Sequence, residues 1–239
     1  MKAPLLYKVY RALRRGWKRM TPEAQQAVKT FVASQKTANG YMNAGGHEDA
    51  YYQQFGEVLE AVFTPIRLLG MKLNLTVQES RHKDTVYGRF FDFVESEVRG
   101  SNLNVNHNDN FFSIPHGKLR LGLRLGLRSE EVMTTNAVCC ILAMQHQMGK
   151  PLDAASVSWL QQRQDETGGF HANEEAPIPD LLSTAVGLFT LRLIGVAAKD
   201  ASQFIQAHWM DSGGFVPTLY DDYSDVEYVF YGLLALGSA

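Results

Sequence analysis

Two stretches decide the fold: residues 168–195, GGFHANEEAPIPDLLSTAVGLFTLRLIG, and residues 213–237, GGFVPTLYDDYSDVEYVFYGLLALG. They are one pattern written twice at an offset of 45 residues. The offset places Trp159 on Phe204, Leu160 on Ile205, Gln161 on Gln206, Gly168-Gly169-Phe170 on Gly213-Gly214-Phe215, and Asp180 on Asp225. It continues with Gly187 on Gly232, Leu188 on Leu233 and Leu191 on Leu236. So many coincidences at one offset mark an internal repeat, in which each unit buries its apolar face against the next. A looser copy runs through Phe31, Gln35, Gly40-Tyr41, Asp49, Tyr52, Gly56 and Leu59, its glycine-to-aspartate interval nine residues rather than eleven.

Each unit reads as a short helix, a glycine-broken turn, a polar loop and a longer apolar helix opened by the aspartate. Ser156 to Arg163 has a helical pattern, and Gly168-Gly169 stops it because glycine reaches the left-handed conformations that a helix end uses. The aromatic after the glycines is expected to plug the turn into the core. After Asp180, the residues Leu181, Leu182, Ala185, Leu188, Phe189 and Leu193 fall at helical period. An acid at that position can cap exposed N–H groups and complements the positive end of the helix dipole. Capping therefore explains the aspartates without any chemistry.

Outside the repeats, 57–70 and 84–98 have helical apolar spacing, and Ser129 to Met148 reads as a buried helix with Met133, Ala137, Cys140, Ile141 and Met144 on one side. Residues 101–117, with asparagine at every second position from Asn102 to Asn110, read as a long loop. His107, Asp109 and His116 lie there in a spacing that matches no strong ligand motif.

The charge is segregated. Net charge is −2, yet residues 1–19 hold Lys2, Lys8, Arg11, Arg14, Arg15, Lys18 and Arg19 and no acid, which leaves an excess of nine acids in the remainder. Leu5, Leu6, Val9, Leu13 and Trp17 recur at helical intervals among these cations, so residues 1–20 read as a basic amphipathic helix preceding a single domain over 21–239. Such a helix can lie on an anionic membrane surface or dock on the acidic body. Positive charge confined to one helix argues against nucleic acid as a partner. No apolar run is long enough for a membrane span and no signal peptide is evident, so a cytoplasmic chain is expected, peripheral at the inner membrane surface where the basic helix binds it. Cys139 and Cys140 are adjacent and read as buried free thiols.

The repeats, most clearly over 156–239 and more weakly over 28–62, resemble those of protein prenyltransferase β subunits and, more distantly, of squalene and oxidosqualene cyclases. The resemblance implies an all-α fold, an α/α toroid of helical hairpins, complete or open, with repeats at about 28–62, 156–197 and 201–239 around an apolar cavity. It also implies that Tyr41, His47, Asp49, Tyr51, Phe170, His171, Asp180, Phe215, Tyr220, Asp221, Asp222, Tyr223, Asp225, Glu227 and Tyr228 meet at one mouth of that cavity.

In the resembled prenyltransferases an Asp, a Cys two residues later and a His from another repeat hold a catalytic zinc ion. Here Asp225 takes the first position, but the others are Glu227 and Ser183, so no metal or other cofactor is expected and zinc-dependent protein prenylation is not. The resembled cyclases protonate an alkene from an Asp-x-Asp-Asp motif whose middle acid is kept protonated by burial. Asp221-Asp222-Tyr223-Ser224-Asp225 has the acids at a different spacing. In a cyclase-like enzyme Asp222 or Asp225 would be the general acid, with Phe215, Tyr220, Tyr223 and Tyr228 stabilising a carbocation. Two functions follow: a prenyltransferase- or cyclase-like protein that binds or transforms an isoprenoid or similar lipid-like molecule, or a non-catalytic lipid-binding or protein-interaction scaffold. Fold alone does not choose between them.

Overall fold

The computed structural model describes residues 3–48, 50–64, 86–99 and 133–239. The fold is all-α. The described residues form nine helices: α1 (Leu5–Arg19), α2 (Pro22–Ser34), α3 (Ala50–Phe63), α4 (Val86–Arg99), α5 (Thr135–Gln147), α6 (Ala154–Gln162), α7 (Leu181–Ile194), α8 (Ser202–Ala207) and α9 (Val226–Ser238). Only a two-residue antiparallel pair, β1 (Phe170–His171) with β2 (Pro179–Asp180), accompanies them. The Asn-rich segment with His107, Asp109 and His116 lies outside the described residues, as do parts of the helices expected over 57–70 and from Ser129.

Four long helices form a row in which α5 packs on α7, α7 on α9 and α9 on α3. The shorter α6 packs on α5, α8 on α9, and α2 on α9 and α3. The repeat sets this order. In both clear units the residue after the broken turn bonds back to the end of the short helix, His171 N–H to Arg163 C=O at 3.0 Å and Val216 N–H to His208 C=O at 2.9 Å. The looser unit repeats the bond, from Met42 N–H to Gln35 C=O at 2.9 Å. Gly168 and Gly213 have φ of +87° and +99°. A Cβ there would also meet backbone of the next short helix region, Asp200 O at 2.1 Å and Ala27 C at 2.3 Å.

Each turn then drives its aromatic into the core onto a glycine of the following long helix. Phe170 seats on Gly187, Phe215 on Gly232 and Tyr41 on Gly56. The glycine removes the side chain that would occupy the ring's space. The two-residue deletion in the first unit's loop shortens the aromatic-to-glycine spacing by the same amount, so the seat survives and the looser copy is a third unit of the same structure.

The caps are as regular. Asp180 Oδ1 accepts from Ser183 N–H at 2.7 Å, and Asp225 Oδ1 accepts from Glu227 and Tyr228 N–H at 3.0 and 3.2 Å. Thr21, Thr134 and Asp153 do the same for α2, α5 and α6.

Helix α1 crosses the opposite, C-terminal ends of the long helices. Leu5, Leu13 and Trp17 are buried among them, and Gly16 meets Gly237 where α1 crosses α9. Its cations are used the same way: Arg14 donates to Val62 C=O, Arg15 Nε to Gly237 C=O at 2.9 Å, and Arg19 to Leu236 and Ala239 C=O. Guanidinium groups at these carbonyls satisfy acceptors with no helical partner and oppose the negative end of the dipole. Of the two expected destinations of the apolar stripe, this arrangement is the docking on the body of the domain, where it faces other helices. No described helix is long and apolar enough to cross a membrane.

Candidate functional site

The N-terminal ends of α3 and α9 and the loops that lead into them form an open pocket of about 420 Å³ lined by Asn43, Ala44, Gly45, Tyr52, Tyr223, Asp225, Glu227 and Tyr228. Its size falls within the range of small-molecule sites. Among the described residues the lining holds two carboxyl groups and three tyrosines, and no basic side chain.

Asp225 sits at the floor, 2% exposed. Burial raises its pKa, while the N–H groups of Tyr228, Glu227 and Ala44 hold it back. Three backbone donors on one carboxyl group make it a fixed acceptor rather than a proton donor. Glu227, half-buried and two residues further along α9, differs. Its Oε1 accepts the Tyr51 hydroxyl at 2.9 Å. Burial raises its pKa, the Tyr51 bond opposes the rise, and the neighbouring Asp225 charge adds to it. Glu227 is therefore the acid of this site best able to exchange a proton at the pocket.

Beside the pocket, aromatic rings of α3 and α9 pack on one another, with Tyr51 on the solvent side. Tyr51 contacts Phe55 at 5.1 Å between ring centroids, and Phe55 contacts Phe230 and Tyr231 at 5.2 and 6.0 Å, in tilted or edge-on geometry. The Tyr231 hydroxyl is pushed up in pKa by burial and then by the charge of Glu227. Leu182, Val186, Phe189 and Leu193 form a half-buried stripe at helical spacing along α7.

Of the residues expected at the mouth, the structure brings Tyr51, Tyr223, Asp225, Glu227 and Tyr228 together, with Asp180 at the head of the adjacent α7. Tyr41, Phe170 and Phe215 are elsewhere: they are the core plugs, because the glycine turn directs them inward. His171 turns back onto its own loop, with Nδ1 2.8 Å from Ala176 O and Nε2 3.6 Å from Asp165. His47 is exposed and does not line the cavity. Asp222 and Tyr220, the latter 84% exposed, project from the loop before α9. Asp49 lies outside the described residues. The sequence reading missed Asn43, Ala44, Gly45, Tyr52 and the deeper Phe55, Phe230 and Tyr231. Tyr52 and Phe55 were within reach, since both lie on the helix that the looser repeat predicts.

Ser183, at the position of the resembled enzymes' histidine, is buried, and its N–H donates to the Asp180 cap. Among the described residues no group of three or more His, Cys, Asp or Glu is placed to hold a metal ion. Burial raises the pKa of Cys139 to about 12, with Thr190 opposing, so this thiol is unreactive at neutral pH.

Two tests separate capping from chemistry and reveal how the acids are held. Asp225→Ala is expected to destabilise the fold by about 1–2 kcal/mol, the upper range for a lost N-cap, because it releases three donors at once. Chemical denaturation measures the loss; an unchanged midpoint would remove the capping role. His208 gives the pH signature. It is fully buried, its Nδ1 lies 2.8 Å from Phe204 O, and its Nε2 has no partner among the described residues. Burial lowers its pKa from 6.5, with the Phe204 carbonyl and the Asp180 charge opposing. The unfolded chain therefore binds the proton first, and His208's contribution to stability is lost as pH falls from 6.5 through the folded value. Asp180 and Asp225, whose folded values are raised, act with the opposite sign at lower pH. The His208→Asn variant is expected to flatten the decline of melting temperature between neutral pH and pH 5.5, chosen as about one unit below the usual His value. An identical decline in both proteins would exclude His208 as its source.

Comparison of the chain with protein-family models and with curated proteins yields no match.

Proposed function

We propose that this chain is an α/α-toroid protein that binds an isoprenoid-like amphiphile, the apolar tail lying against the aromatic wall of the long helices and the head at the acidic mouth. The observation that carries this reading is the chain of ring contacts that leads from Tyr52, in the pocket lining, through Tyr51 and Phe55 to Phe230 and Tyr231. A flexible apolar chain is matched by edge-on aromatic rings and half-buried aliphatic side chains, which gain contact area without requiring directional bonds. Binding accounts for the site without a reaction, since Asp225 is engaged as a cap and Asp222 is exposed.

The catalytic alternative rests on one residue, Glu227, whose raised pKa and place in the pocket suit it to protonate a bound alkene. Native mass spectrometry of the chain purified without detergent tests the binding reading. The expected spectrum contains an adduct released by organic extraction and identified as a lipid-like molecule. Absence of an adduct, together with no binding of farnesol or geranylgeraniol in titration, would overturn it. Conversion of such an alcohol by the wild-type chain and not by Glu227→Gln would favour the enzyme.

A further inference from the structure

The mouth discriminates by charge, and its charge is unusual for an isoprenoid site. The activated forms of isoprenoids are diphosphates, and a diphosphate head would be set against Asp225 and Glu227 with no basic side chain among the described residues of the lining. Neither carboxyl group has an ion-pair partner among the described residues, and both are partly or fully removed from water. Two like charges that share a partly desolvated pocket repel each other, and the repulsion is relieved by a positive ligand. The rest of the lining fits the same occupant. Tyr52, Tyr223 and Tyr228 bring three aromatic rings to a pocket of about 420 Å³, and Tyr223 and Tyr228 stand edge to face at 6.3 Å between centroids. Ring faces beside carboxylates are the surroundings in which an alkylated ammonium is held, because the quadrupole and the charge act together and no hydrogen-bond donor is demanded of the ligand. Asp225 is pinned by backbone N–H groups and Glu227 by the Tyr51 hydroxyl, so the negative field is oriented before a ligand arrives.

We propose that the mouth pocket is a binding site for a positively charged nitrogen, and that the ligand of this protein is a cationic amphiphile whose ammonium head sits among Tyr52, Tyr223, Tyr228 and the carboxylates of Glu227 and Asp225. The tail depends on the reading given above; the head site does not. The ammonium contacts the Glu227 carboxylate directly, and Tyr223, on the rim, closes over it.

Isothermal titration of the full chain with four ligands below their micelle concentrations tests this. The ligands are dodecyltrimethylammonium, dodecanol, dodecyl sulfate and tetramethylammonium. The expected result is that the long ammonium binds at least about tenfold more tightly than the alcohol, a preference of about 1.4 kcal/mol. The sulfate is expected to bind more weakly than either. Glu227→Gln is expected to remove most of the ammonium's advantage over the alcohol, read as the ratio of the two affinities in the same variant. Tyr223→Leu, in an exposed loop outside the helices, should reduce it without altering the melting temperature, by the several-fold expected for one cation–π contact. Affinity for the ammonium should also rise with pH as Glu227 ionises, and affinity for the alcohol should not. Equal affinity for ammonium and alcohol, or tighter binding of the sulfate, overturns the head site. Binding of tetramethylammonium with no gain from the long tail upholds the head site and overturns the isoprenoid-like tail. Binding of dodecanol without any ammonium preference does the reverse.

Discussion

Phe215→Ala is expected to destabilise the fold by about 3–5 kcal/mol, the cost of deleting a buried aromatic ring and leaving its cavity. That is a large share of the 5–15 kcal/mol that holds a typical domain. The reason lies in how the ring is held. Phe215 is 1% exposed, seated on Gly232 of α9 and edge-on to Trp209 at 5.2 Å, so three segments of one repeat converge on it. Gly232 offers no side chain to fill the space, and the Trp209–Phe215 bridge ties the turn backbone in place. The converse substitution, Gly232→Ala, puts a methyl group 2.5 Å from the same ring. Combining the two is expected to cost less than the sum of the separate changes, since the methyl enters the vacated space. Urea denaturation of the two single variants and the pair measures this coupling. Strict additivity would mean that the ring and the glycine are not one seat.

The second large effect is expected at the crossing of α1 and α9. Gly237→Ala adds a methyl 1.8 Å from the Ala12 carbonyl oxygen, and Gly16→Ala adds one 2.0 Å from the Leu233 carbonyl oxygen. Intrinsic helix propensity favours alanine over glycine by about 1 kcal/mol, so a free helix would gain stability from either change. Here the obstacle is backbone, which cannot rotate away as a side chain tip can, and overpacking of this kind costs about 1–3 kcal/mol or more. The clash outweighs the propensity. Separation of α1 would also strand the Val62, Leu236 and Gly237 carbonyls that Arg14, Arg19 and Arg15 cover. Both variants are expected to lower the melting temperature and to speed amide exchange in α1. A rise in melting temperature would show that propensity wins and that the crossing is loose.

These two sites show what the sequence can and cannot disclose. The repeat was legible because turn and cap chemistry leave fixed marks: paired glycines, an aromatic and an aspartate at constant spacing. The interiors of the long helices were legible for the same reason, through apolar period. The destination of an aromatic was not. Phe170 and Phe215 have the composition of cavity residues, but a left-handed glycine immediately before the turn aims them inward, and the decisive partner, Gly187 or Gly232, is 17 residues away. Helix α1 was recognised as basic and amphipathic, yet its period does not state which surface the stripe covers. Gly16, the residue that permits the close crossing, carries no signal of its own. At the mouth, Glu227 was seen first as a departure from a zinc-ligand pattern, and only its place beside Tyr51 and the pocket gives it a positive role. Tyr52 and Phe55 belong to the weakest copy of the repeat, where the shortened loop obscures the alignment.

The central claim is that the mouth opens onto the aromatic wall of α3 and α9 and that a lipid-like tail lies along it. Photolabelling of the full chain with a diazirine-bearing farnesyl analogue, followed by peptide mapping, tests it most directly. Label is expected on the α3 and α9 peptides at Phe55, Tyr228 and Tyr231, reduced by excess unlabelled farnesol and by a Tyr231→Asp substitution in protein that retains its helical content. Label confined to the exposed Leu219–Tyr223 loop, or label at the wall that excess farnesol does not displace, would contradict it.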